Sequence, residues 1–208
     1  MKKRFNECFA KVVLESCFPN RFDVLELSDK PDLRHLQTNT GIEVTYSMPK
    51  KEAEAVNVWN RLYKGRSKNI ERDVDRLSQL GIEFDPKSFI WNQGCYDDNI
   101  KEGPIKEFFE AVAQKVERLN SETACYENMD HFELFVNSTI LIPEHQIMAV
   151  VEVLKQLNNQ DRKFKTIYLL SIEQKLYVFV MVNGNASIKY LYNNLNWMET
   201  KARQLLAE

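Results

Sequence analysis

The residues of this chain best placed to do chemistry together are an aspartate and a glutamate in one short stretch, Lys30–Ser47 (KPDLRHLQTNTGIEVTYS). Asp32 follows Pro31 at the entry to one short apolar run, and Glu43 lies inside the next. Asn39, Thr40 and Gly41 between them are turn residues. A tight hairpin at that point sets the two carboxylates side by side, which is what a hard divalent cation needs. A cation so held can activate water against a phosphodiester. Each residue also has a plainer reading. Asp32 can be a turn residue or strand cap, Glu43 can face solvent, and Thr45 is a good strand former that needs no function.

Elements on both sides must position this pair. Ile42–Tyr46 reads as a strand in which Ile42, Val44 and Tyr46 share one face and Glu43 and Thr45 the other. Upstream, residues 4–17 read as a helix with Phe5, Cys8, Phe9, Val12 and Val13 on its buried face and Glu15 at the edge of that face. Phe22–Ser28 and Leu33–Gln37 read as two further strands. Downstream, a helix starts near Pro49 and stops at Gly65, and a second amphipathic helix covers Ser67–Leu80.

Residues 82–103 read as irregular and carry the aromatics Phe84, Trp91 and Tyr96. Pro104 opens a helix through Phe108, Val112, Val116 and Leu119. A strand over Phe132–Ile142 follows, then a helix from Pro143, then strands over Phe164–Ser171 and Lys175–Val182. Asn183-Gly184-Asn185 is punctuation before a C-terminal helix that uses Ile188, Leu191, Leu195, Met198 and Leu205. The expected fold is α/β (α+β): one domain over 1–208 with a mixed central sheet flanked by helices and a helical insertion over 66–128.

The helix, the strand, Pro31-Asp32, the hairpin, the Glu43-Val44-Thr45 strand and the helix after it together resemble the PD-(D/E)XK nuclease superfamily. The resemblance covers about residues 5–65. It implies a restriction-endonuclease-like core and a metal-dependent nuclease that hydrolyses phosphodiester bonds, with DNA favoured over RNA. It also implies that Asp32 and Glu43 coordinate Mg²⁺ or Mn²⁺, that the Val44 carbonyl completes the coordination, and that a glutamate on the first helix joins them. Glu15 is the better match for that glutamate, and Glu7 lies two turns earlier. The family's lysine position is Thr45 here, a hydroxyl without charge. Lys50, Lys51 or Lys30 can reach back in its place. The missing lysine leaves enzymatic activity uncertain and keeps two alternatives open. One is a catalytically inactive binding or regulatory module on the same fold. The other is an unrelated α+β interaction domain in which the carboxylates of Asp32 and Glu43 lie more than about 8 Å apart, too far to share a cation.

Arg61, Lys64, Arg66, Lys68, Arg72 and Arg76 form a basic series across two helices. Lys64, Arg66 and Lys68 are candidate nucleic-acid contacts. Interleaved with Glu71, Asp73 and Asp75, the series also reads as a solvated face. Phe84, Trp91 and Tyr96 can stack on bases or pin a loop to the core.

The chain has 28 Lys+Arg against 30 Asp+Glu and a net charge of −2, which argues against a constitutively sticky nucleic-acid coat but leaves room for a local basic groove. Hydrophobic residues make up 44%, enough for a sizeable core. Cys8, Cys17, Cys95 and Cys125 form no CxxC pair and complete no zinc spacing with His35, His131 or His145. No signal peptide and no apolar run long enough to span a bilayer is visible, so the expected location is cytoplasmic with no membrane partner. A protein partner or a homodimer is left open. Walker loops, GxGxxG, GxSxG and HExxH are all missing from the sequence.

Overall fold

Phe9, Val12 and Val13 recur at helical spacing, and the computed structural model places them on the buried face of α1 (Phe5–Cys17). The structure describes residues 4–48, 50–80, 105–140, 142–171, 173–191 and 194–208. Two short strands follow α1, β1 (Glu26–Leu27) and β2 (Leu33–His35), then a long one, β3 (Thr40–Ser47). After α2 (Lys50–Tyr63) and α3 (Ile70–Gln79) come α4 (Ile105–Asn120), β4 (His131–Ser138) and α5 (Ile147–Leu157). The chain ends with β5 (Phe164–Leu170), β6 (Lys175–Val180), β7 (Asn185–Tyr190) and α6 (Leu195–Ala207).

The seven strands form one mixed sheet in sequence order, β1 to β7. β3, β4 and β5 run parallel at its centre, and every other neighbouring pair is antiparallel. The protein is therefore a mixed α/β fold with six α-helices among the described residues. Ile42 and Val44 pack with α1 and α6 on one face of the sheet. α4 packs on β3 and β4 on the other face and touches α5. Glu43 and Thr45 alternate with Ile42 and Val44, so they point to the α4 side. Among the described residues no helix is long and apolar enough to cross a membrane.

The chain divides into two compact units, residues 48–104 and the rest. The expected insertion over 66–128 is thus displaced: α2 belongs to the smaller unit, whereas α4 belongs with the sheet because Phe108, Val112, Val116 and Leu119 are buried in its core. Within the smaller unit, Ala55 and Val58 of α2 pack on Leu77 of α3. Residues 81–104, including Phe84, Trp91 and Tyr96, lie outside the described residues.

Three strands differ from expectation, the strand expected over Phe132–Ile142 among them, since it ends at Ser138 as β4. The strand expected over Phe22–Ser28 shrinks to β1, because Phe22 and Leu25 are both buried three positions apart, a spacing that an alternating strand cannot provide. The backbone of Leu25 is instead held by α1 side chains: its N–H donates to Glu15 Oε1 at 2.8 Å, and its carbonyl accepts from Lys11 Nζ at 2.5 Å. β7 replaces the first turns expected of the C-terminal helix. Ala186, Ile188 and Tyr190 alternate along it, and it pairs with β6 from Asn185 to Tyr190.

Candidate functional site

β2 ends its pairing with β3 at Leu33 opposite Ile42. Beyond that point, among the described residues, the edge of β3 has no strand neighbour on the β2 side, so the Val44 N–H needs another acceptor. Asp32, one residue before β2, supplies it: Val44 N–H donates to Asp32 Oδ2 at 2.7 Å. The carboxylate is fixed by the same backbone that carries Glu43. In an extended strand the N–H and C=O of one residue lie on the same edge, so the Val44 carbonyl also faces the Asp32 side.

Close packing holds this corner. A Cβ on Gly41 would lie 2.6 Å from Pro31 Cγ and 3.2 Å from both Met129 Cγ and Phe132 Cε1. Glycine at 41 is what lets Pro31, and Asp32 after it, lie against β3.

The cation of the site comes from α4. Lys115 Nζ donates to Glu43 Oε2 at 2.6 Å and lies 3.5 Å from Asp32 Oδ2. The Glu43 side chain is 1% exposed, and those of Lys115 and Asp32 are each 13% exposed. Oxygens at 2.6 and 3.5 Å from one nitrogen are well within 8 Å of each other, so the two carboxylates meet. The reading in which they never meet is overturned.

Glu7 approaches from the opposite layer. It is buried on α1, and its carboxyl is pushed above the ordinary range by burial first and by the Asp32 charge second, with Arg4 and Lys115 opposing the shift. The Glu7 carboxylate accepts from the Arg4 N–H at 3.2 Å. Tyr126 closes another side. Its ring is half-buried, and burial together with the Glu43 charge keeps the proton on its hydroxyl. Three acids, one lysine and one phenol therefore gather where the short β2 leaves the edge of β3 open.

Some of the residues singled out by sequence lie elsewhere. Glu15 is held by Lys11 and by the Leu25 N–H, so it is part of the α1–β1 packing and not of this cluster. Thr45 shares the face of Glu43 and is half-buried. Lys50 begins α2 in the smaller unit, and its side chain lies outside the described residues. Lys51 is exposed on α2, and Lys30 offers its backbone carbonyl to the Glu127 N–H. Lys64, Arg66 and Lys68 are exposed around the connection between α2 and α3.

Lys115 was not among the candidates. Its only sequence signal is its place beside Val112 and Val116 on a helix whose apolar stripe faces the sheet. A lysine at the margin of a buried stripe must send its ammonium either to water or to a buried acid.

Another buried carboxylate, Glu133, does not belong to this site. It pairs with Ile42 in register and so points to the α1 face, away from Glu43. Arg21 forms an ion pair with it and the Tyr168 hydroxyl donates to it at 2.9 Å, while burial pushes its carboxyl up.

Chemically, the Asp32–Glu43 pair offers two carboxylates aimed at one cation, a donor set suited to a hard divalent ion that keeps several waters. Among the described residues no three His, Cys, Asp or Glu side chains converge closely enough to enclose an ion by themselves. Comparison of the chain with known protein families, with curated proteins and with solved structures finds no match.

Proposed function

We propose that this chain is a Mg²⁺- or Mn²⁺-dependent phosphodiesterase acting on nucleic acid, DNA in preference to RNA, built on a PD-(D/E)XK-type core. The observation that carries this reading is the convergence of Asp32 and Glu43 on the single ammonium of Lys115. Two carboxylates, one from the lead-in to a short strand and one from the centre of the next, are the arrangement this chemistry needs. The order of α1, β1, β2 and β3 agrees with the resemblance.

The donor chemistry fits the ion. Asp32 and Glu43 would hold it, with the Val44 carbonyl on the same edge and Glu7 within electrostatic reach of Asp32. When bound, the ion supplies an activated water and neutralises charge on the phosphate. The remaining work falls to the chain. The Val44 N–H orients Asp32. Lys115 supplies the positive charge that Thr45 lacks: its ammonium can donate to a phosphate oxygen as negative charge develops there. Tyr126 keeps its proton and offers a second donor beside Glu43.

One observation favours the alternative of a binding module on the same fold. Lys115 already neutralises part of the charge of both carboxylates, so an ion must displace it or share the site with it. The deciding experiment is cleavage of single- and double-stranded DNA and of RNA with Mn²⁺ or Mg²⁺, comparing wild type with Asp32→Ala and Glu43→Ala. The expected result is metal-dependent cutting that both variants lose. No cutting of any substrate, with no rise in melting temperature on adding Mn²⁺, would overturn the proposal in favour of the binding module.

A further inference from the structure

Within the smaller unit, two ion pairs tie α2 to α3. Arg61 on α2 grips Asp73 on α3 through two nitrogens, at 2.8 and 3.3 Å. Arg76 on α3 grips Glu54 on α2 at 2.7 and 2.8 Å. Those two arginines and two acids are occupied with each other, and the guanidiniums hold both carboxyls below their ordinary range. The charge pattern that looks mixed in sequence is therefore partly cancelled in a defined way.

What is left over is more basic. Arg66, Lys68 and Arg72 line the same cleft, about 1320 Å³ in volume, and are exposed. None of the three has an ion pair among the described residues. Glu71 and Asp75 are the remaining acids on that lining. Arg66 and Lys68 lie in the connection itself, where Gly65 turns the chain at φ +60° and Asn69 caps α3 through its side chain on the Arg72 N–H. The start of α3 is closed to an anion, because Asn69 takes the Arg72 N–H and Glu71 and Asp73 sit in the first turn, so the exposed Arg66, Lys68 and Arg72 side chains are what suit a phosphate, the arginines through their planar fork.

We infer that the connection between α2 and α3 is a nucleic-acid backbone contact made by Arg66, Lys68 and Arg72, with Arg61 and Arg76 serving only to hold the two helices together. The inference draws its meaning from the phosphodiesterase reading, but it is tested without any cleavage.

The test is binding of the full chain to a short fluorescein-labelled duplex DNA by anisotropy, in EDTA, across a range of KCl concentrations. The logarithm of affinity should fall linearly with the logarithm of salt. In Arg66→Ala/Lys68→Ala/Arg72→Ala that slope should lessen by about 0.9 per lost contact, roughly three units in all. Lys106→Ala/Lys163→Ala/Lys201→Ala removes equal charge from the larger unit and should keep the wild-type slope. Should the alanine variant fail to fold, Arg66→Glu/Lys68→Glu provides the same reading through loss of binding at low salt. An unchanged slope in the folded variant, or no salt-dependent binding by wild type, overturns the inference. Binding that depends on these residues in a chain that never cuts would sink the phosphodiesterase reading alone. Cutting with an unchanged slope would sink this inference alone.

Discussion

Lys115 Nζ lies 2.6 Å from Glu43 Oε2, although the two residues are 72 positions apart in the chain. The contact joins α4 to β3 across a part of the sheet where both side chains are nearly buried. A buried carboxylate needs such a partner, and removing one member leaves the other uncompensated. Under the proposed function a metal ion would have to bind where the ammonium stands, so the lysine would compete with it for Asp32 and Glu43.

Lys115→Ala should therefore separate binding from catalysis. Loss of the ammonium should destabilise the metal-free chain by about 1–3 kcal/mol, and added Mn²⁺ should recover much of that. Calorimetric titration should show Mn²⁺ binding at least as tight as in wild type. Cleavage should fall by about 10²-fold or more, the scale of losing one donor to developing charge. Cutting at the wild-type rate would reduce Lys115 to a structural ion pair.

Glu7→Gln tests the third acid through the pH dependence of stability. Burial and the Asp32 charge raise the Glu7 carboxyl above its usual 4.5. The folded chain thus holds this proton more tightly than the unfolded chain. Below pH 4.5 both states are protonated and Glu7 costs nothing. As the pH rises through the raised value, the folded state loses stability. The glutamine keeps an acceptor for the Arg4 N–H but never ionises. Its melting temperature should exceed that of wild type at pH 7, and the gain should vanish toward pH 4. A variant that melts at or below wild type at both pH values would mean that the charged Glu7 carboxylate does not destabilise the fold.

The Asp32–Glu43 pair was legible in sequence because the hairpin that joins the two residues is local: a proline, a turn and an alternating strand specify it within one stretch. Lys115 was not legible, because its contact is tertiary and crosses the whole of residues 48–104. Glu15 and Glu7 show a different limit. Both lie on α1, and sequence cannot say that Lys11 and the Leu25 backbone occupy one of them while the other is buried near Asp32. β7 carried two competing periods. Ala186, Ile188 and Tyr190 alternate as in a strand, while Ile188, Leu191 and Leu195 recur as on a helix. Pairing with β6 decides for the strand. α4 is legible as an amphipathic helix from its apolar stripe, yet only its packing on β3 and β4 assigns it to the sheet.

Gly41→Ala should damage the site without touching a charged residue. The new Cβ would lie 2.6 Å from Pro31 Cγ, inside any tolerable contact. Relief requires Pro31 to move, and Asp32 moves with it. Overpacking of this kind costs about 1–3 kcal/mol. The measurable consequences are a lower melting temperature and weaker Mn²⁺ binding in the same variant. Normal Mn²⁺ affinity in a folded Gly41→Ala chain would show that Asp32 is positioned by something other than this close approach.

The Arg21–Glu133 pair should control stability alone. Glu133 is 1% exposed, whereas Arg21 is 46% exposed, so water can replace part of what the guanidinium gives. Arg21→Met should cost about 1–3 kcal/mol at neutral pH. With Arg21 gone, burial raises the Glu133 carboxyl further, so the cost should grow as pH rises and fade in acid, where the group is neutral. Adding Glu133→Gln should restore most of the loss, because the glutamine carries no charge to compensate and still accepts from the Tyr168 hydroxyl. Chemical denaturation of the two single variants and the double variant across pH measures this coupling directly. Nuclease activity should be unchanged in the double variant at a temperature where all the chains are folded, since Glu133 faces α1 and Glu43 faces α4. A double variant that refolds fully but cannot cut would place Glu133 in the catalytic machinery, against the geometry of the sheet.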